Sequence, residues 1–331
     1  MCIRDRDGVV HIHSGVGNLG TYSYAGTSRV VAEVLQCDWE RCVIHRGDSR
    51  EHLPWNLGQF GSNTSFTMTR SNHAAAVDLK NKLLEIAAID FGGNAEDYDI
   101  DGERVFSTLD PTQGMTYGEA AKRAIDIGGK FAGHALADDM FFMTRASATA
   151  VAGTGLVGAA KDNYDKNGVV PALAVGYMMV ELDLETGTYE ILEYQATADC
   201  GTVIHPKGLA AQIRGGGVMG IGMATLERVV YDPSNGLPAN TGIYQAKPPS
   251  YLDVPSKMQV AAVDQPDPQN PIGAKGIGEP LMGCAATALL CAISDAMGGH
   301  YFNRTPVVPD MIVNAVAGQA QSHGNLQVNT F

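Results

Sequence analysis

Apolar and polar positions follow two different periods along the chain, and each period predicts one kind of element. Short alternating or apolar runs predict strands at about 9–13, 41–45, 172–182, 189–196 and 258–263, with a further hairpin at 98–106. Longer stretches with helical spacing predict helices at about 28–35, 116–127, 209–226 and 281–297, and a long helix that ends near Phe91. Between 130 and 165 neither period is clear, so no element and no role are predicted there.

The stretch Gly273-Ala274-Lys275-Gly276-Ile277-Gly278-Glu279-Pro280 leads into the last long predicted helix. Its three glycines within six residues allow a tight turn and a close approach of the backbone to a ligand. Proline is favoured at the first position of a helix, so Pro280 places Glu279 at the N-cap.

Glu279 therefore has two interpretations. An acidic residue at an N-cap is a common helix start signal, which would make it an ordinary cap. The partial positive end of the helix also favours the ionised carboxylate, whereas burial favours the protonated one, so the residue could be poised as a proton acceptor. The residue pattern alone leaves both interpretations open.

The segment Gly15-Val16-Gly17-Asn18-Leu19-Gly20 lies between a predicted strand and a predicted helix, which is the outline of a dinucleotide-binding fingerprint. That fingerprint expects an acidic residue at the end of the second strand, about 20 positions on. Asp38 and Glu40 have this spacing but precede the next apolar run, Arg41 to His45. A plain glycine turn between strand and helix is the alternative.

Composition narrows the class of protein. The 331 residues are 45% hydrophobic, enough for a sizeable core, and the length fits about two domains. A net charge of −13 provides no basic surface for nucleic acid or for an anionic membrane. No apolar run reaches the roughly 18 residues of a membrane span, and no signal-peptide pattern is present in the sequence. We therefore expect an acidic, cytoplasmic protein.

The six cysteines form no CxxC pair and show no spacing typical of zinc or iron–sulfur ligands, so we expect reduced thiols. The opening Met1-Cys2-Ile3-Arg4-Asp5-Arg6 resembles a translated sequencing adapter. We therefore treat residues 1–6 as an artefact and 7–331 as the protein domain.

The stretch from Gly273 to Pro280, followed by an alanine-rich helix, resembles the catalytic-glutamate loop of the molybdenum hydroxylases, the xanthine dehydrogenase and aldehyde oxidase family. The resemblance runs from about Asp7 to about Ala317, where Pro309 to Ala317 is similar to the closing helix of the family. It implies an α+β fold with repeated strand–helix units and mixed sheets, the second molybdenum-cofactor-binding domain of the large subunit. Two lobes, at about 7–165 and 166–331, are one arrangement of this domain.

The resemblance also implies roles for individual residues. Glu279 would be the general base, taking the proton of the water-derived nucleophile that attacks an aldehyde or N-heteroaromatic carbon. Gly61 would lie near molybdenum through its backbone and not as a side-chain ligand. The family has glutamines where this chain has Thr21 and Met219. The residues expected to line the cofactor are Gly20, Thr21, Gly61, Ser62, Met219, Gly220, Gly276, Ile277 and Gly278.

The implied cofactor is molybdenum–molybdopterin, with the cytosine dinucleotide form as one option. The implied partners are the N-terminal part of the same large subunit, which carries the first cofactor domain, and subunits or domains that hold [2Fe–2S] clusters and FAD. The changes at Thr21 and Met219 leave a second hypothesis, a non-catalytic scaffold of the same fold. The glycine fingerprint leaves a third, a dinucleotide-binding dehydrogenase.

Overall fold

A computed structural model of the chain describes residues 2–4, 8–162, 164 and 168–323. It divides into two compact units, of which the first comprises Met1–Val170 and Pro266–Gly276 and the second Pro171–Gln265 and Ile277–Phe331. The predicted lobe boundary, between 165 and 166, lies outside the described residues. The segment Pro266–Gly276, which we call the Gly276 segment, belongs with the first unit although it is distant from it in sequence.

The first unit combines small sheets with helices. Its strands are β1 (Cys2–Arg4), β2 (Val10–His13), β3 (Cys42–His45), β4 (Tyr98–Asp101), β5 (Arg104–Ser107), β6 (Gly114–Thr116) and β7 (Gly155–Val157). Its helices are α1 (Ser23–Ser28), α2 (Val30–Leu35), α3 (Thr64–Phe91), α4 (Tyr117–Ile127) and α5 (Phe142–Ala150). One sheet has the order β3-β2-β1-β7, with β2 and β3 parallel, and the other has the order β4-β5-β6.

The core of the first unit forms around α3. Leu79, Leu83 and Ile86 are fully buried, and their spacing of four and three residues places them in one stripe of the helix. They pack in one cluster with residues of β2 and α2, including Val10 and Leu35. The predicted helix that ends near Phe91 is confirmed by α3.

Helix α5 and strand β7 are among the elements of the first unit that were not predicted. Helix α5 buries only Ala148 among its described residues, so its sequence carries no apolar stripe. Strand β7 has only three residues, all of them buried. Both lie in the stretch 130–165, where neither period is visible in the sequence.

Residues Cys2–Arg4, which the sequence analysis set aside, form β1 and pair in antiparallel register with β2 and β7. Met1, Asp5 and Arg6 lie outside the described residues. The adapter origin of residues 1–6 stays a prediction.

The second unit is a three-stranded sheet with helices. Its strands are β8 (Ala174–Leu182), β9 (Tyr189–Asp199) and β10 (Lys257–Val263), and its helices are α6 (Pro206–Thr225), α7 (Ile243–Ala246), α8 (Pro280–Ala296) and α9 (Pro309–Val316). Strand β9 is central, antiparallel to β8 and parallel to β10. The predicted hairpin and the two long helices are confirmed; α6 begins at Pro206, slightly before its predicted start, and α8 begins at Pro280, as the proline predicts. The α+β fold class is confirmed in both units.

The glycines of α6 are explained by packing within the second unit. A β-carbon at Gly220 would lie 2.4 Å from the Met282 carbonyl oxygen of α8, and one at Gly216 would lie 2.7 Å from Leu281 Cβ. A β-carbon at Gly217 would lie 2.4 Å from the ring of Tyr194 on β9. Burial raises the pKa of Tyr194 to about 12, so its hydroxyl stays protonated and the residue is part of the core.

In the described ranges, every helix is too short or too polar to span a lipid bilayer.

The packing of α6 on α8 predicts opposite effects for two glycine substitutions in one helix. Gly220→Ala forces a β-carbon against a backbone oxygen and should destabilise the chain by about 1–3 kcal/mol. Gly215→Ala is the matched control: no atom of the described residues lies within 4 Å of its added β-carbon, and helix propensity should stabilise it by up to about 1 kcal/mol. Thermal unfolding followed by circular dichroism would separate the two, and equal midpoints would contradict the packing argument.

Candidate functional site

The residues predicted to form a site are divided between the two units. The first unit contains Gly20, Thr21, Gly61, Ser62 and Gly276. The second unit contains Met219, Gly220, Ile277, Gly278 and Glu279. The chain passes from one unit to the other between Gly276 and Ile277, within the glycine-rich stretch itself.

In the first unit, residues 14–22 form a loop between β2 and α1, which we call the Gly20 loop. The Asn18 side chain organises it, because its Oδ1 accepts hydrogen bonds from the amides of Gly20 (3.0 Å) and Tyr22 (3.3 Å). Gly20 has a φ of 88°, and no atom of the described residues lies within 4 Å of the place where a β-carbon would be. The loop therefore presents open backbone at Gly20.

The Gly20 loop does not complete a dinucleotide fingerprint. Strand β3, which is parallel to β2, ends at His45 and not at an acidic residue. The first glycine of the pattern has a packing role, because a β-carbon at Gly15 would lie 1.8 Å from the Pro54 carbonyl oxygen.

A second loop of the first unit, residues 58–63, leads into α3 and is called here the Gly61 loop. Gly61 and Ser62 have φ values of 61° and 54°, both left-handed. Asn63 occupies the N-cap position of α3, yet within the described chain its side chain makes no capping hydrogen bond. The Gly61 loop thus places left-handed backbone directly before the N-terminus of a 28-residue helix, where the helix dipole favours negative charge.

The side chain of Gln59 joins these two loops. Its Oε1 accepts a hydrogen bond of 3.0 Å from the Leu19 amide, and its Nε2 donates one of 2.6 Å to Ser23 Oγ. The Gly20 loop and the Gly61 loop are therefore fixed to each other by one amide.

Gly276 adds a third backbone segment of the first unit to this place. A β-carbon at Gly276 would lie 1.3 Å from the Ser62 carbonyl oxygen, so only glycine fits. This contact sets the end of the Gly276 segment directly against the Gly61 loop.

Two polar side chains hold the Gly276 segment on α3. The buried Asn270 amide donates to Phe66 O (3.0 Å) and Thr69 Oγ1 (2.7 Å) of the helix, and its Oδ1 accepts from the Ala274 amide (3.2 Å). Arg70, which is 1% exposed, donates to Gln269 O at 2.6 Å. Both side chains are buried, so losing either would leave a polar partner unsatisfied.

The charge of Arg70 is balanced inside the first unit. Its Nε lies 2.8 Å from Asp162 Oδ2, and its guanidinium also donates to the carbonyl of Tyr164. Sequence analysis did not single out Arg70, Asn270 or Gln59. Arg70 is fully buried in α3 beside Met68 and Thr69, and a buried arginine requires a partner.

In the second unit, Glu279 precedes Pro280, the first residue of α8, and is exposed. Within the described chain its carboxylate accepts no capping hydrogen bond from the first turn of the helix. Glu279 thus occupies the predicted N-cap position without a side-chain capping hydrogen bond. The carboxylate is held at the positive end of α8 while remaining accessible to solvent.

The residues before Glu279 are fixed by the second unit. Ile277 is buried in its core cluster. Gln212 of α6 approaches the Gly278 carbonyl, with Nε2 to O at 3.4 Å. The backbone that leads into Glu279 is thus anchored at Ile277 and at Gly278.

Met219 and Gly220 have different surroundings in α6. The Met219 side chain is 44% exposed, whereas the Cα of Gly220 faces α8. Gly220 therefore has a packing role in the second unit, and its predicted role in lining a cofactor stays a prediction.

The first unit also has a cavity of about 280 Å³. His13, Trp55, Met68, Phe141 and Asp162 are among its lining residues, and the rings of Trp55 and Phe141 lie 5.3 Å apart. The lining that the structure describes includes none of the predicted site residues. The cavity reaches the Gly20 loop at Ser14 and Gly15, and its described lining includes no residue of the Gly61 loop or of the Gly276 segment.

Among the described residues, no group of three or more histidine, cysteine, aspartate or glutamate side chains could hold a metal ion. The arrangement in the first unit is instead a set of backbone loops without side-chain metal ligands. Such loops suit a large ligand that is held through main-chain groups and carries its own reactive centre.

The molybdopterin cofactor-binding domain family matches residues 3–255 of the chain. The gamma subunit of the 6-hydroxypseudooxynicotine dehydrogenase complex of Paenarthrobacter nicotinovorans is 28% identical, over 95% of this chain and 37% of its own length. The aldehyde oxidoreductase molybdenum-binding subunit PaoC of Escherichia coli K12 is 25% identical, over 92% of this chain and 35% of its own length.

Among solved structures, quinoline 2-oxidoreductase from Pseudomonas putida 86 superposes with a TM-score of 0.75 at 25% identity, covering 96% of this chain and 38% of that one. The chain thus spans just over a third of the length of the proteins that it matches. The family predicted from the glycine-rich stretch is confirmed, and the chain belongs to the molybdopterin cofactor-binding domain family of the molybdenum hydroxylases.

Proposed function

We propose that the chain is the second cofactor-binding part of a molybdenum hydroxylase, which oxidises an aldehyde or N-heteroaromatic carbon with water. The observation that carries this proposal is the state of Glu279. Its carboxylate directly follows the Gly276–Gly278 stretch, is exposed, and is not used as a side-chain cap within the described chain. A solvent-accessible carboxylate next to the glycine-rich stretch is suited to proton transfer.

The first unit fits a bulky anionic cofactor held by backbone. At Gly20 and Gly61 both the φ values and the open space beside Cα admit a close ligand, and in the described residues no atom fills the place of a β-carbon. The N-terminus of α3, which follows the Gly61 loop, favours phosphate and other anions. Gly20, Thr21, Gly61, Ser62 and Gly276 would hold the molybdopterin from this unit, and Ile277, Gly278, Met219 and Gly220 are proposed to contribute from the second.

When bound, the cofactor supplies the two-electron oxidant and the activated water-derived oxygen. Glu279 takes the proton of that oxygen as it attacks the substrate carbon. The chain keeps the carboxylate ready for this role in two ways. Glu279 lies at the N-terminus of α8 and is exposed, and the buried Ile277 with the Gln212–Gly278 contact restricts its backbone.

The substrate class rests on the names of related proteins. One matched protein is an aldehyde oxidoreductase subunit, and another is a quinoline 2-oxidoreductase, whose substrate is an N-heteroaromatic ring. Both substrates contain an electron-poor carbon, which water-derived oxygen can attack.

The chain is proposed to work within a larger assembly. Its relatives include proteins named as the gamma subunit of a dehydrogenase complex and as a large subunit. We propose that the N-terminal part of the same large subunit completes the cofactor site, and that [2Fe–2S] and FAD groups on partner domains or subunits remove the electrons. The cytosine dinucleotide form of the cofactor is part of this proposal.

A non-catalytic scaffold is the second candidate. It is favoured by Thr21 and Met219, which replace two glutamines of the family, and by the exposure of the apolar Met219 side chain. The two candidates differ in whether the full-length protein holds molybdenum.

The cofactor proposal predicts near-stoichiometric molybdenum in the full-length gene product, expressed with its neighbouring genes in a host that makes the cofactor. Metal analysis would measure the ratio, and oxidation should release a fluorescent pterin. Acid hydrolysis should release cytosine nucleotide if the dinucleotide form is correct. A folded product without molybdenum would contradict the hydroxylase and favour the scaffold.

The proton-transfer role predicts that Glu279→Gln lowers kcat by about 10²- to 10⁴-fold, because that is the usual contribution of a positioned base. Molybdenum content should not change, since the substitution keeps the shape of the side chain. Asp295→Asn, at the exposed far end of the same helix, is the matched control and should leave both values unchanged. Turnover of Glu279→Gln at the wild-type rate would rule out Glu279 as the base.

A further inference from the structure

We infer that Gln59 is the positioning residue of the Gly20 loop, and that it supplies there the side-chain amide that Thr21 lacks. The inference rests on the proposed function, because it assigns to Gln59 the task of shaping the loop for the cofactor. Gln59 lies outside the glycine patterns of the Gly20 loop and belongs to the neighbouring Gly61 loop.

The contacts of Gln59 span the exposed part of the Gly20 loop. Its carbonyl accepts from the Leu19 amide at 3.0 Å, and its NH₂ group donates to Ser23 Oγ at 2.6 Å. Gly20, Thr21 and Tyr22 lie between these two points. One planar amide therefore fixes both ends of the segment that is expected to face the cofactor.

The segment requires such a restraint. Gly20 has a φ of 88°, and Tyr22 has a φ of 54°, a left-handed conformation that is unfavourable for a bulky side chain. The Tyr22 side chain is 65% exposed, so burial of its ring contributes little to holding it there. Asn18 restrains the loop from within, and Gln59 restrains it from the Gly61 loop.

The Gln59 side chain also shares a hydrogen-bond acceptor with Thr21. The Thr21 hydroxyl donates to Ser23 Oγ at 3.3 Å, and this is the same oxygen that accepts the hydrogen bond from Gln59 Nε2. An amide has thus been placed beside position 21 from position 59. Because Gln59 precedes Gly61 by only two residues, the same side chain also fixes the Gly61 loop against the Gly20 loop.

The substitution Gln59→Met tests the inference, because it keeps the length of the side chain and removes both hydrogen bonds. The protein is the full-length subunit expressed with its neighbouring genes. Two quantities are measured: hydrogen–deuterium exchange of peptides covering 15–24, and molybdenum and pterin per polypeptide. Gln113→Met, at an exposed glutamine before β6 in the same unit, is the matched control.

We expect amide exchange in 15–24 to rise on the order of tenfold in Gln59→Met, since two hydrogen bonds are lost. Molybdenum and pterin content should fall several-fold while the thermal midpoint of the subunit stays near that of the control. Adding Thr21→Gln to Gln59→Met should restore part of the cofactor content, because it returns an amide to the same surroundings.

Three outcomes would overturn the inference. Unchanged exchange in 15–24 would show that Gln59 does not restrain the loop. Faster exchange with wild-type molybdenum content and wild-type kcat/KM would show a structural contact without a role in positioning. If the wild-type subunit contains no molybdenum although exchange responds to Gln59→Met, the proposed function fails, and the cofactor role of Gln59 fails with it; the first two outcomes leave the proposed function standing.

Discussion

The structure depends on the absence of a side chain at Gly276. Because a β-carbon there would lie 1.3 Å from the Ser62 carbonyl oxygen, any other residue would push the Gly276 segment away from the Gly61 loop. The buried side chains of Arg70 and Asn270 act on the same segment from α3 and set its path before it reaches Gly276. The backbone that leads into Ile277, Gly278 and Glu279 therefore starts from a point that is fixed by packing and by buried hydrogen bonds, and not by the glycine-rich stretch alone.

Regular elements could be predicted from the sequence where burial follows a period. Helix α3 and the β8–β9 hairpin each have a periodic pattern of buried residues, because one face of each packs against a core. Helix α5 could not be found, since Ala148 is its one buried residue in the described structure. The glycines of α6 are a clear sequence signal, and the structure explains them by close packing inside the second unit. Gly220 was expected to line a cofactor, and the structure shows that α8 packs closely against it.

The candidate site was predictable only in part, for a physical reason. Motifs such as the one around Glu279 are local in sequence, whereas the contacts that shape the loops join residues far apart. Gln59 bonds to Leu19 across 40 positions, and Arg70 bonds to Gln269 across 199. No period or spacing in one sequence shows such pairs. Glu279 is the intermediate case, because its position at the start of α8 was predicted, whereas the lack of a side-chain capping bond could be seen only from the hydrogen bonds of the first turn.

The two departures from the family pattern, Thr21 and Met219, lie in different units, and each has a glutamine from another position nearby in its own unit. Beside Thr21 the chain has an amide from another position, and Gln59 and Thr21 share Ser23 Oγ as acceptor. On α6, Gln212 precedes Met219 by seven residues, which is two helical turns, and Gln212 already approaches the Gly278 carbonyl next to Glu279. In each unit, then, a glutamine contacts backbone adjoining a predicted site residue although the expected glutamine is missing. These two amides restrain the Gly20 loop in the first unit and the backbone before Glu279 in the second.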